Sequence, residues 1–425
     1  MYRCTAILIG AVGLPLPTAH AVEAAVAPSI LDATRSVSVD RLHRLDRYME
    51  TATGAQGYLG AVTLIMRDGK IVQRSACGQR DLARRHAMTE DTIFRIYSMT
   101  KTVASVAVLM LLEEGRLTLD EPIARYLPEF SDTQVITGDT AAVSHPAGSP
   151  ITIHQLLTHT AGLPAERPGD EPAVQYMRRA DPHGAADLAG FSERLDRVPL
   201  AADPATRFAD DGASLEVLAR LVEVVSGMAF ADFLQQRIFA PLKMDDTGFS
   251  VPMAQRGRVV DITKMGPQGR LVIADGPSAL EPGAPLNRYT SGAGGLYSTA
   301  ADYARFCQML LNRGNLQGAS IPGRKTIELM MLNHLGQLDP PVTQFSQAVG
   351  FGLGGYVVID VAARGQTGSP GQFGWAGAAS TSYTIDPREG LLAIVLLQHL
   401  PTGDAGDLPR ISQRFYNLVY QALER

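Results

Sequence analysis

Val39, Leu42, Leu45 and Met49 recur at helical spacing, which predicts an amphipathic helix within residues 36–54. The stretch YLGAVTLIMRDGKIVQRSACG, residues 58–78, reads as two strand-like runs joined at Asp68-Gly69, a hairpin signal. Residues 99–114, MTKTVASVAVLMLLEE, predict a long apolar helix, with Gly115 as its stop. Residues 120–290 are richer in proline and in helical patterns, with helices expected near 152–160, 213–226 and 230–240. Irregular stretches are expected at 131–150 and 164–190, and a further helix at 299–312. The C-terminal part then turns strand-like in FGLGGYVVI, GWAGAASTSYTI and GLLAIVLLQ, three expected strands, and closes on a helix in RISQRFYNLVYQALER.

Strand patterns thus lie at both ends of the chain with helical patterns between. A lone hairpin cannot bury its faces, so the simplest packing joins both ends in one antiparallel sheet under the terminal helices. The expected architecture is α+β. Residues 36–119 and 290–425 would form a discontinuous α/β domain, and 120–289 a mainly helical one.

Composition narrows the function classes. The chain has 425 residues, 45% hydrophobic and 19% charged, enough for a large core and too little charge for long disordered arms. A net charge of −5 without a basic run argues against a nucleic-acid partner. Residues 1–21 carry Arg3, an apolar stretch and an Ala19-x-Ala21 pattern, which reads as a signal peptide and implies a periplasmic or secreted protein. The alternative is a frayed N-terminus. Pro15 and Pro17 spoil a membrane-spanning helix there, and no later stretch is long and apolar enough to span. Cys4 would leave with the leader, and Cys77 and Cys307 are expected to be buried apolar side chains.

The candidate chemistry sits in YSMTK, residues 97–101. Ser98 and Lys101 are three apart, so a helix brings them to one face. A serine hydroxyl is a weak nucleophile that a neighbouring amine activates by taking its proton, and a helix N-terminus suits a developing oxyanion. The same spacing also arises where a serine merely opens a helix beside a solvated lysine.

The flanks add to this. FRIYSMTKTVASVAVLMLLEEGRLTLDEPIARYLPEF, ITIHQLLTHTAGLP (151–164) and SGAGGLYSTAADYARFCQMLLN (291–312) resemble the serine β-lactamase-like superfamily, in its class C β-lactamase, D-peptidase and family VIII carboxylesterase branch. The resemblance runs from about residue 40 to the C-terminus and implies that superfamily's fold. It also implies a third element of the form Lys/His/Trp-x-Gly, which Trp375, Ala376 and Gly377 match. By the same resemblance, Ala378 and Ser98 offer backbone N–H groups to the oxyanion. Trp375 is either a substrate wall on an edge strand or a core aromatic.

One element departs from the pattern. Relatives carry a relay tyrosine in the context Pro-Gly-x-x-Phe-x-Tyr. Here the stretch is DPATRFADDGASLEVLARLVE, and aligning Phe208 puts Asp210 in the tyrosine's place and Ala205 in the glycine's. A carboxylate beside Lys101 would favour the charged amine. Asp210 could serve as the base itself or leave the enzyme crippled. The alignment could instead slip to another tyrosine, the substitution could be deliberate, or Asp210 and Asp211 could be turn residues opening the next helix.

Other motifs fail their context. GFGLGG (350–355) matches a dinucleotide fingerprint in letters, but a strand pattern follows it. His154 and His159 do not share a helical face, so zinc is not expected, and the resemblance makes His159 structural. No cofactor is expected. The sequence therefore reads as a serine hydrolase with a covalent acyl-enzyme, its partners being small esters. A D-peptidase or weak β-lactamase acting on amides is the alternative, and a non-catalytic binding homologue is the rival. Oligomeric state is not legible.

Overall fold

A computed structural model describes residues 5–6, 37–136, 144–165, 171–336, 338 and 348–424. The expected leader lies outside them apart from Thr5–Ala6. The first helix, α1 (Val39–Ala52), leads into the hairpin β1 (Gly60–Arg67) and β2 (Lys70–Gly78). Asp68 and Gly69 both take positive φ, 49° and 76°, the tight turn whose twist matches its strands. Helix α2 (Thr100–Glu113) follows. Far along the chain come β3 (Val349–Phe351), β4 (Tyr356–Val358), β5 (Phe373–Ala376), β6 (Ser382–Asp386) and β7 (Leu391–Leu396).

These strands form one antiparallel sheet in the order β2-β1-β7-β6-β5-β4-β3, with Thr5–Ala6 outside β2. The two chain ends meet where β7 pairs with β1, from Leu391 opposite Arg67 to Leu396 opposite Val62. Both strands are apolar on both faces because both faces are covered. Val62, Leu64, Met66, Leu392, Ile394 and Leu396 join the main core, against which α7 (Ala300–Leu311) packs. Ala61, Ile65, Ala393 and Val395 face the opposite way, into a second core with α1 and the last helix, α8 (Ser412–Tyr420). Alternate residues point to opposite faces, so one strand supplies two cores.

Several local expectations need correction. The three expected C-terminal strands are five. Gly352–Gly355 turns the first run into a hairpin, and residues 377–381 turn back the second. The stretch 164–190 is not irregular throughout, because it contains α4 (Pro172–Ala180) and the start of α5 (Leu188–Leu195). Proline at the first helical position and an Asp187 cap open these helices, signals the apolar pattern does not carry. Small hairpins pair 134–136 with 144–146 and 263–265 with 271–273 inside the mainly helical stretch. Cys77 and Cys307 are both buried, as expected, and Cys307 is a free thiol. No described helix is long and apolar enough to cross a membrane.

Candidate active site

The site is built where α2 begins. A 3₁₀ turn, Tyr97–Met99, precedes the helix, and Tyr97 sits at φ 44°, a left-handed conformation costly for a side-chain-bearing residue. Surrounding contacts over-determine the turn. Tyr303 on α7 donates its hydroxyl to Met99 O at 3.0 Å, and Thr102 donates to Gly354 O in the β3–β4 turn at 2.8 Å. Just upstream, the buried Arg95 guanidinium donates to Gly295 O at 3.1 Å and to Tyr297 Oη at 2.7 Å, fastening the SGAGG segment behind the serine. Ser98 is left half-buried at the cavity edge.

Lys101 is 4% exposed and one turn on. Among the described residues its ammonium makes two hydrogen bonds, to Asp210 Oδ1 at 2.5 Å and to Asp211 O at 2.9 Å, and neither goes to Ser98. The ring of Trp375 has its centroid 6.0 Å from the same nitrogen. Burial alone would push the Asp210 carboxyl up. The Lys101 charge and its hydrogen bond instead hold it below the usual carboxylate range.

The two aspartates divide the roles left open by sequence. Asp211 opens the following helix, α6 (Ala213–Ser226), accepting from Ser214 N at 2.5 Å and Ser214 Oγ at 3.0 Å. Asp210 turns the other way, to Lys101. Tyr356 also lines the cavity, but its hydroxyl donates to Thr384 Oγ1 on β6 at 3.3 Å.

The third element closes the site. Trp375 is 6% exposed and packs edge-on against Phe351, so it is a core aromatic whose rim reaches the cavity. Its strand, β5, is not a sheet edge as expected. However, β4 pairs with it only as far as Gly374. Gly377 lies just past the last ladder pair with β6, and a Cβ there would sit 2.3 Å from both Ile96 O and Thr381 Oγ1. Only glycine lets this strand end approach the segment carrying Ser98. Gly377→Ala is therefore expected to force the strand end outward at about 1–3 kcal/mol, lowering the melting temperature and cutting ester turnover at least ten-fold in parallel assays.

Ala378 follows, exposed to two cavities that share Ser98 and Asp210. One, of about 560 Å³, is bounded by Val349, Tyr356, Arg364, Gln366 and Trp375. The other, of about 370 Å³, is bounded by Lys101, His183, Glu216, Leu286 and Asn287. All six residues singled out from sequence, Ser98, Lys101, Asp210, Trp375, Gly377 and Ala378, thus surround one place. Arg364, Tyr356, His183 and Asn287 were not anticipated. Tyr356 opens β4, Arg364 ends a short helix, and His183 and Asn287 lie in short connecting turns; none carries a motif, and only their position gives them meaning.

His159 differs from the satisfied structural residue expected. Its Nδ1 lies 3.1 Å from Asp211 Oδ2, but its buried Nε2 has no hydrogen bond and lies 3.7 Å from Asp210 Oδ1. His154 instead meets His334, ring nitrogen to ring nitrogen at 3.0 Å.

Residues 45–414 match the Beta-lactamase family model, which is more than half of the chain. The chain belongs to the beta-lactamase family. That family lies within the serine hydrolase superfamily, and its members here are hydrolytic enzymes. The chain is 30% identical to esterase EstB of Burkholderia gladioli over 86% of this chain and 92% of that one. It is 32% identical to protein Rv1367c of Mycobacterium tuberculosis over 80% of this chain and 86% of that one. Among solved structures it superposes on EstCE1, described as a hydrolase with promiscuous acyltransferase activity. The TM-score is 0.74 at 24% identity, over 90% of this chain and 99% of that one. At that identity the likeness speaks for the fold: this family member has the β-lactamase and penicillin-binding-protein fold.

Proposed function

We propose that this protein is a carboxylesterase that hydrolyses small esters through a covalent intermediate on Ser98. The observation that carries the reading is the convergence of Ser98, Lys101, Asp210 and Ala378, from three distant parts of the chain, on one pair of cavities. Ser98 Oγ attacks the acyl carbon, and the Lys101–Asp210 pair takes the proton. The N–H groups of Ser98 and Ala378 hold the oxyanion, an arrangement worth roughly 3 kcal/mol per donor. The alkoxide leaves, and water releases the acid. An amide demands more, because its amine must be protonated before it departs. A carboxyl held below its usual range is scarcely protonated near neutral pH and rarely has a proton to give, which favours esters. The esterase and hydrolase relatives support the same substrate class.

One observation favours amides bearing a carboxylate. Arg364 lines the larger cavity, donates to Gln372 Oε1 at 3.1 Å and stacks near Tyr356, and among the described residues it meets no carboxylate. Turnover of a p-nitrophenyl ester, of a peptide ending in D-Ala-D-Ala and of a chromogenic cephalosporin separates the readings. Rapid ester turnover supports the first, and a preference for either amide overturns it. Covalent labelling by a fluorophosphonate without turnover means a stalled acyl-enzyme, and neither labelling nor turnover means a binding protein. The leader-like residues 1–21 extend the reading to an exported enzyme. A mature chain starting after Ala21 supports that extension, and an intact Met1 chain recovered from an export-competent host removes it.

A further inference from the structure

Asp210 has a second neighbour besides Lys101. His159 belongs to a loop that is bound to the Asp210 segment through its backbone, with Ala209 N donating to His159 O at 2.9 Å. Its side chain is fully buried, edge-on to Phe208 and Phe351, and its backbone is left-handed at φ 54°. Such a conformation in a non-glycine residue persists only where its surroundings hold it. Here they hold the imidazole between two carboxylates.

The two ring nitrogens have different surroundings. Nδ1 lies 3.1 Å from Asp211 Oδ2, and the Asp211 N–H points to it from 3.4 Å, the longer and weaker contact. The shorter contact is to a carboxylate, which accepts only, so Nδ1 carries the proton. Asp211 cannot swing away, because Ser214 N and Oγ hold its two oxygens. The lone pair is then on Nε2, a buried atom with no hydrogen bond, 3.7 Å from Asp210 Oδ1. The line runs Lys101, Asp210, His159, Asp211.

We infer that His159, backed by Asp211, is a proton-holding residue that acts through Asp210 and replaces the buffering a relay tyrosine would supply. The inference rests on the acyl-enzyme reading above. The Oγ–H bond of Ser98 breaks as the Oγ–carbon bond forms, and the proton passes to the Lys101–Asp210 pair. Asp210, held below the usual carboxylate range, is a weak place to keep it. The open Nε2 faces that carboxyl from 3.7 Å and offers the proton another place. Closing the 3.7 Å gap by roughly half an ångström makes a hydrogen bond, and catalytic hydrogen bonds of free enzymes are often long in this way. The proton moves from Asp210 to His159 Nε2, giving an imidazolium between two carboxylates with Lys101 beyond. It returns by the same path to the leaving alkoxide.

The test uses two backgrounds, the natural chain and Asp210→Tyr, where a phenol does the buffering and His159 has no carboxylate to serve. His159→Asn is the main variant, because asparagine tolerates the left-handed backbone. Asp211→Asn is the second and leaves the imidazole in place. The readouts are kcat and KM on a p-nitrophenyl ester, and the rate of Ser98 labelling by a fluorophosphonate. In the natural background each variant is expected to lower kcat and the labelling rate at least ten-fold with KM within two-fold. In the Asp210→Tyr background each is expected to change kcat less than three-fold. Equal losses in both backgrounds, or losses in KM alone, would mean that His159 merely braces the loop, and the inference fails while the acyl-enzyme reading stands. If the natural chain neither labels nor turns over, the acyl-enzyme reading itself fails and this inference falls with it.

Discussion

Asp210→Tyr is expected to raise ester turnover by at least ten-fold. In the natural chain the Lys101 ammonium is paired with a carboxylate at 2.5 Å and with Asp211 O at 2.9 Å, so it is poorly placed to accept a proton from Ser98. The carboxylate is a weak base in turn, because the Lys101 charge and hydrogen bond outweigh its burial and hold it below the usual range. Positioned acid–base help is typically worth roughly 10²–10⁴-fold, and this pair delivers only part of it. A phenol removes the charge, and the amine and phenol then share one proton. The cavity of about 560 Å³ beside Asp210 gives the ring room to enter.

The control is Asp210→Asn, which keeps the size and removes the charge. If Asp210 is already the working base, Asn abolishes turnover and Tyr does not help. The pH dependence has a definite sign. A carboxyl lowered in the folded state contributes stability above its unfolded value and loses it as pH falls through the folded one. The Lys101–Asp210 pair therefore stays intact through neutral pH and breaks only in acid, below the usual carboxylate range. The stability difference between the natural chain and Asp210→Asn, measured by denaturant titration, should be lost on that side.

Ser98→Ala is expected to abolish covalent labelling and lower ester turnover at least a thousand-fold, the order of effect that follows loss of a nucleophile. The unfolding midpoint should barely move. Ser98 is half-buried and receives no hydrogen bond from Lys101, and such substitutions usually stay within about 0.5 kcal/mol. Labelling that persists at another serine, found by peptide mapping, would remove Ser98 from the mechanism.

Much of the architecture was legible because the pattern of apolar residues is itself a statement about burial. Continuous apolar runs at 60–67 and 391–396 belong to strands covered on both faces, and both lie in the sheet centre. The apolar run after Ser98 became α2, buried almost throughout. Shorter elements were less legible. A glycine pair inside an apolar run looks like continuing strand until pairing partners reverse it, which is why 351–359 and 374–385 each hid a turn.

The site divides along the same line. Residue type and spacing pointed to Ser98 and Lys101, and the resemblance of the flanking segments was needed to set them apart from a serine that merely opens a helix. The motif order was enough to bring in Trp375, Gly377 and Ala378. Which aspartate faces Lys101 was beyond any local pattern, since Asp210 and Asp211 are adjacent and both suit a turn. Their partners lie far off in sequence: Lys101 is 109 residues from Asp210, and His159 is 52 from Asp211. A buried charge needs a partner, and partners are chosen by distance in three dimensions. The chain alone therefore determined the sheet and the helix, and pointed to Ser98 and Lys101. Only the packed structure decided that Asp211 caps a helix, that Asp210 occupies the lysine, and that a histidine expected to be inert stands behind them.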